Sequence, residues 1–226
     1  AQAVIAEIPV GVDPRSVAVA PDRGLAYLAN QGSDQLSVLD LDAGAVVGSV
    51  EVGDRPVGVA VSPDGRLVAV AELGDDQVRL VDAATLQTWS LLRTLDRPSG
   101  LAFTPDGKHL LVAHLLSGQV TLLRIQAYRT YLPTVLKGQG TRSINTPSRP
   151  QSQISNLQSQ ISTWSDVAPA PSVVINAAGT RAYLPQTMAN GQGYNTAFDT
   201  TVFSQVSVLD LETGTHLTAE KISLPE

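Results

Sequence analysis

The chain has 226 residues, enough to bury one sizeable core, and 43% of them are apolar while only 4% are aromatic. A formal charge of −6 argues against an extended basic face for nucleic acid. Zero cysteine excludes disulfides, thiolate metal sites and a covalently attached c-type haem within these residues. The longest mostly apolar stretch, 110–116, is interrupted by His114 and is far too short to span a bilayer, so no transmembrane segment is expected.

Taken in chain order, residues 3–10 read as a strand ending in Pro9-Val10-Gly11. Beyond them a motif recurs every 42 residues, with Pro14, Pro56 and Pro98 each followed seven residues later by a Pro-Asp pair at 21, 63 and 105. A fixed period in the 40s filled with short β-rich runs is the signature of a propeller built from four-stranded blades. Blade one spans 15–53, with strands A to D over 16–20, 25–30, 35–41 and 45–52. Proline early in a turn, Asp bonding its own backbone and Gly accepting a positive φ give the intervening punctuation a mechanism. Blade two (57–95) repeats the pattern. So does blade three (99–137), whose outer strand is expected over 129–136 with Pro133 tolerable only on a sheet edge.

Blade four, 170–225, is stretched. Gly179 follows Gly107 by 72 residues, 30 more than the repeat, which predicts an inserted, low-complexity Ser/Gln-rich loop over 138–168. A second insertion is expected over 187–204, where Tyr194, Phe198 and Phe203 suggest a packed cap. Both insertions are read as D-to-A or B-to-C loops on one face. Strand A carries a small residue at one register in every copy (Ser16, Gly58, Gly100 and Ser172), as inner strands crowding an axis require.

The run Pro56-Val57-Gly58-Val59-Ala60-Val61-Ser62-Pro63-Asp64-Gly65-Arg66, with Tyr27-Leu28-Ala29-Asn30 followed by Gly32-Ser33 and Ser37-Val38-Leu39-Asp40, resembles the YVTN-type β-propeller repeat. The resemblance covers nearly all residues outside the two insertions. It implies an all-β propeller of four-stranded antiparallel blades, four of them visible, within a larger propeller of about seven. The strand 3–10 would then close a blade whose other strands lie outside this chain. The resemblance also implies an extracellular or periplasmic setting, although no signal peptide is visible. Related propellers include lactonase-like enzymes and modules attached to cytochrome domains, so the fold does not choose a function.

The end of strand B supplies an equivalent polar position in each blade: Asn30, Glu72, His114 and Gln186. On a ring these four would stand around one mouth, and Glu72 beside His114 is a candidate pair for a divalent cation. No other cofactor is expected within the chain. Arg55 and Arg97, within repeated Asp-Arg-Pro, and Tyr194 complete the candidate ligand or partner face. Asp40, Asp82 and Asp210 close strand C and read as turn caps. No nucleophile elbow, zinc-protease helix or phosphate loop is present. The expected role is a non-catalytic binding or scaffolding propeller of an exported protein. Its partner would be a protein, a glycan or a surface layer, with missing C-terminal blades or another domain completing it. The alternatives are the propeller part of a cytochrome-linked electron-transfer protein and a lactonase-like hydrolase.

Overall fold

The computed structural model describes residues 4, 6–116, 119–125, 162–164, 171–189, 202–213, 215–217 and 222–223. They form four antiparallel sheets. Blade one is β1 (Pro14–Ala20), β2 (Leu25–Asn30), β3 (Gln35–Asp40) and β4 (Ala45–Glu51), paired in that order. Blade two is β5 (Pro56–Val61), β6 (Leu67–Glu72), β7 (Gln77–Asp82) and β8 (Thr88–Arg93). Blade three is β9 (Pro98–Phe103), β10 (His109–His114), β11 (Val120–Arg124) and β12 (Ser162–Trp164). Blade four holds β13 (Val174–Ile175), β14 (Arg181–Ala189) and β15 (Val202–Asp210), with β16 (Thr215–His216) and β17 (Ile222–Ser223) sharing the outer edge of β15. The described residues 4 and 6–10 pair with no described strand.

The turns between A and B strands are set by local chemistry. Ser62 Oγ and Thr104 Oγ1 each donate to the carboxylate two residues on, Asp64 or Asp106, at 2.6 Å, and each accepts the N–H that opens strand B. Burial alone would raise the Asp64 carboxyl, but the bonds from Ser62 and Arg66 and the Arg66 charge leave it below its ordinary value. At Asp106 the Thr104 hydroxyl leads the same lowering. These turns therefore hold above the carboxylate range and weaken as the pH falls through it. In blade four Asn176 does the same work alone, its Oδ1 accepting from Thr180 N–H (2.9 Å) and Arg181 N–H (3.0 Å).

Successive blades bury facing surfaces against one another. Tyr27, Leu36 and Val38 of blade one pack with Val59, Val68 and Val70 of blade two, while Leu80 and Leu92 meet Leu110 and Leu123 of blade three. Leu111 and Val120 in turn meet Leu184 and Leu209 of blade four. Each fully buried Val or Leu on such a seam contributes about 1.5–3 kcal/mol. The repeat shows what a facing blade does: Val59 and Leu101, each turned to the preceding blade, are 7% and 9% exposed, whereas their equivalent Val17, on the face of blade one turned from blade two, is 60% exposed.

Inner strands approach most closely at the small-residue register. Ser16 Oγ accepts the Val59 N–H (3.3 Å), a Cβ on Gly58 would overlap the Ser99 carbonyl oxygen, and a Cβ on Gly100 would lie 2.6 Å from Ser172 Cα. The four small residues therefore do line one axis.

Two sequence expectations change here. The expected outer strand of blade three, 129–136, lies outside the described residues, and β12, drawn from within the expected low-complexity insertion, pairs the edge of β11 through Val120↔Trp164 and Leu122↔Ser162. The long connection after Ile125 thus joins strands C and D and leaves from the end that bears the A-to-B turns. In blade four, β14 and β15 each run nine residues, three past the equivalent of Asn30, so part of the second expected insertion is an extension of the B-to-C hairpin through Ala189↔Val202. The two elaborations leave opposite ends of their blades rather than one shared face.

Substituting Gly58 by Ala is expected to lower stability by about 1–3 kcal/mol through overpacking, against about 1 kcal/mol or less for Ser16→Ala, which loses one long hydrogen bond. Urea unfolding measures both, and a neutral Gly58→Ala would contradict the close approach.

Candidate functional site

On the face opposite the A-to-B turns, the described segments that lead into blades one, two and three fold back over the ends of those blades. Arg55 C=O accepts the Leu73 N–H and Asp54 C=O accepts the Gly74 N–H; one repeat on, Arg97 C=O accepts the Leu115 N–H, and one repeat earlier Asp13 C=O accepts the Gln31 N–H. Asp13, Arg55 and Arg97 all take the left-handed conformation, with φ of 54°, 51° and 51°. That region is unfavourable for Arg, so the surroundings must hold it there. They do so from the preceding blade: Asp34 Oδ1 accepts the Arg55 N–H (2.9 Å) and Asp76 Oδ1 accepts the Arg97 N–H (2.8 Å). The two arginine side chains stay exposed, Arg55 beside Asp54 at 3.5 Å.

Beneath the linkers sit the polar ends of the B strands, and they are not at an open mouth. Asn30, Glu72 and His114 are completely buried. Each reaches sideways to strand C, always to the residue seven further on. Asn30 Nδ2 donates to Ser37 Oγ (2.9 Å), Arg79 Nε and Nη2 donate to the Glu72 carboxylate, and His114 Nε2 bonds Thr121 Oγ1 (2.9 Å). Two of them also reach upward. Glu72 Oε1 accepts the Gly53 N–H (2.7 Å), while His114 Nδ1 donates to the Asp96 carbonyl (3.2 Å). A Cβ on Gly53 would overlap the Glu72 carboxylate, and one on Gly11 would lie 2.7 Å from Asn30 Cγ, which explains glycine at both places. Asn30 Oδ1 has no hydrogen-bond partner among the described residues.

This geometry changes the meaning of the sequence-selected residues. Glu72 accepts from Gly53, Gln77 and Arg79, and both ring nitrogens of His114 are engaged, so a cation held by that pair would have to displace Arg79 and Thr121. No hydrogen bond joins Glu72 to His114, and among the described residues no three His, Asp or Glu side chains group to hold a metal ion. Burial pushes the His114 imidazole below its ordinary value, with the Asp96 carbonyl and carboxylate and the Asp76 carboxylate opposing it. Gln186 pairs Gln205 on β15, which puts Ser207 in the register held by Ser37 in blade one. Tyr194 lies outside the described residues. Asp40, Asp82 and Asp210 each accept two backbone N–H groups from the turn that follows, at 2.8 to 3.0 Å.

Sequence reasoning missed the strand-C partners Ser37, Arg79 and Thr121, and it missed the latching role of Asp34 and Asp76. Both sets recur at the same 42-residue period, and that recurrence was the available signal.

Residues 7–138 match the family model described as "Lactonase, 7-bladed beta-propeller". No curated protein sequence matches the chain. A solved chain of Kuenenia stuttgartiensis hydrazine synthase is similar in fold, with a TM-score of 0.68 at 18% identity, over 100% of this chain and 53% of that one. This chain therefore spans about half the length of that structure, and the likeness concerns fold alone. No helix among the described residues is long and apolar enough to cross a membrane.

Removing the charge of the fully buried Glu72 leaves the half-buried Arg79 guanidinium without its carboxylate, so Glu72→Gln is expected to cost up to about 3–5 kcal/mol in urea unfolding. Arg66→Ala, which removes an exposed pair 3.9 Å long, is expected to cost less than about 1 kcal/mol. Equal losses would show that the buried clamp contributes no more than a surface pair.

Proposed function

The chain belongs to the Lactonase, 7-bladed beta-propeller family, and from that premise we propose that its blades act as a non-catalytic binding scaffold. In this reading it is a YVTN-type propeller of an exported protein, and it contacts a glycan through the face built from the D-to-A linkers and B-to-C turns. The observation that carries the proposal is the state of Arg55 and Arg97. Their backbones are fixed by carboxylates of the preceding blade while their side chains remain exposed. Each stands next to an aspartate, Asp54 or Asp96. A guanidinium beside a carboxylate offers donors and acceptors side by side, which suits sugar hydroxyls better than a simple anion, for which the aspartates are repulsive. Glu72 and His114 beneath are committed to holding the linkers, and Asn30 is turned to Ser37 of its own blade. A side chain whose heteroatoms are bonded to its own fold is poorly placed to exchange protons with a substrate.

The family match itself favours a second reading, hydrolysis of a lactone. The cytochrome-linked reading draws on no residue of this chain, which has no cysteine for covalent haem attachment.

One experiment separates the first two. The purified chain and the Arg55→Ala/Arg97→Ala variant are applied to a glycan array and, in parallel, to a panel of γ- and δ-lactones followed by proton release. The expected outcome is saturable glycan binding that falls by about tenfold or more in the variant, the loss of at least one charge-assisted contact, with no lactone turnover above buffer. Lactone turnover that persists in the variant, with no glycan bound by either protein, would replace the scaffold by the hydrolase.

A further inference from the structure

Three linkers cross three buried B-strand ends in equivalent positions, and the side chains beneath them differ in one chemical respect. Asn30 has no proton to gain, and Glu72 is the ion-pair partner of Arg79. His114 alone is an imidazole, the side chain whose ordinary titration falls near neutrality. Its ring joins two elements: Nδ1–H donates to the Asp96 carbonyl on the linker from blade two, and Nε2 takes the Thr121 hydroxyl on β11. The same linker is tied on its far side by Asp76 Oδ1 to the Arg97 N–H, and by the Arg97 carbonyl to the Leu115 N–H at 2.9 Å.

We propose that His114 is an acid-released latch for the seam between blades two and three. When the ring takes a second proton it carries a full charge in a site closed to water, and the linker over 95–97 loosens to let it out. The equivalent seam between blades one and two, resting on Glu72 and Arg79, stays shut over the same range.

Among the described residues the charged groups facing His114 are few. The linker contributes the Asp96 carboxylate and the Leu95 carbonyl, the B-to-C turn of blade two contributes the Asp76 carboxylate, and β11 contributes only the neutral Thr121 hydroxyl. Both carboxylates favour the protonated ring, but burial outweighs them and the net shift is downward. A base whose latched form binds protons less readily than its released form destabilises the latch as the pH falls below the ordinary imidazole value. The closed state is therefore fully held above that value and is lost progressively below it. This inference concerns the seam itself and stands whether or not the face binds a glycan.

Amide hydrogen exchange on the full chain tests it, with rates corrected for their intrinsic pH dependence and the repeat serving as an internal control. Between pH 7.5 and 5 the protection of the Arg97 and Leu115 amides is expected to fall severalfold relative to that of Arg55 and Leu73, because the latched ring binds its second proton less readily than the released one. His114→Asn, which installs the residue found at this place in blade one, is expected to abolish the relative fall. Constant ratios among the four wild-type amides would overturn the proposal, and that comparison needs no variant to fold. A relative fall that survives His114→Asn would overturn it as well.

Discussion

A linker that turns back over the end of a sheet carries peptide groups that the sheet's own ladder cannot satisfy, and a buried one left unbonded is costly. In this propeller the problem recurs at the first three blades, and in two of them a buried side chain at the end of the second strand meets part of it. Glu72 takes the Gly53 N–H and His114 gives a bond to the Asp96 carbonyl. The change from acceptor to donor goes with a change in the linker itself, from Gly53 to Leu95 at the equivalent place. Each clamp is braced by strand C, so the position of the linker is tied to the core of its blade. The neighbouring blade adds the second tie through Asp34 or Asp76.

That arrangement has a consequence for function. The residues whose types look most like chemistry, a Glu and a His at repeat-equivalent positions, are the ones most deeply used by the fold. What the face offers outward is instead the pair of arginines that the clamps and latches hold in an unfavourable backbone region, with aspartates beside them. A surface assembled from rigid linkers of this kind suits recognition, because little ordering remains to be done when a partner arrives.

How much of this the sequence discloses depends on how local the cause is. The Pro-Asp turns were legible because Ser62, Thr104 and their carboxylates act within a few residues, and Asp40, Asp82 and Asp210 cap the turns that directly follow them. The small register at Gly58 and Gly100 was legible because only close backbone approach explains it in every copy. The inward direction of Glu72 and His114 was not, since a polar residue at a strand end reads as a rim residue until its partner seven positions away is seen. Nor does Asp-Arg-Pro announce a left-handed Arg, because the usual signal for that conformation is a glycine. The outer strand of blade three was hidden for a different reason. Ser162-Thr163-Trp164 is three residues long and lies in Ser/Gln-rich sequence, while 129–136 stands at the repeat's own spacing.

The most direct measurement of the clamp is a double-mutant cycle on Glu72 and Arg79, using Glu72→Gln, Arg79→Met and the pair together in urea unfolding. If the carboxylate and guanidinium hold each other inside the blade, the double variant will be more stable than the sum of the single losses predicts, by about 1–3 kcal/mol. Losses that simply add, each no larger than a surface substitution gives, would mean that Glu72 is free of Arg79 and that the face above it is organised in some other way.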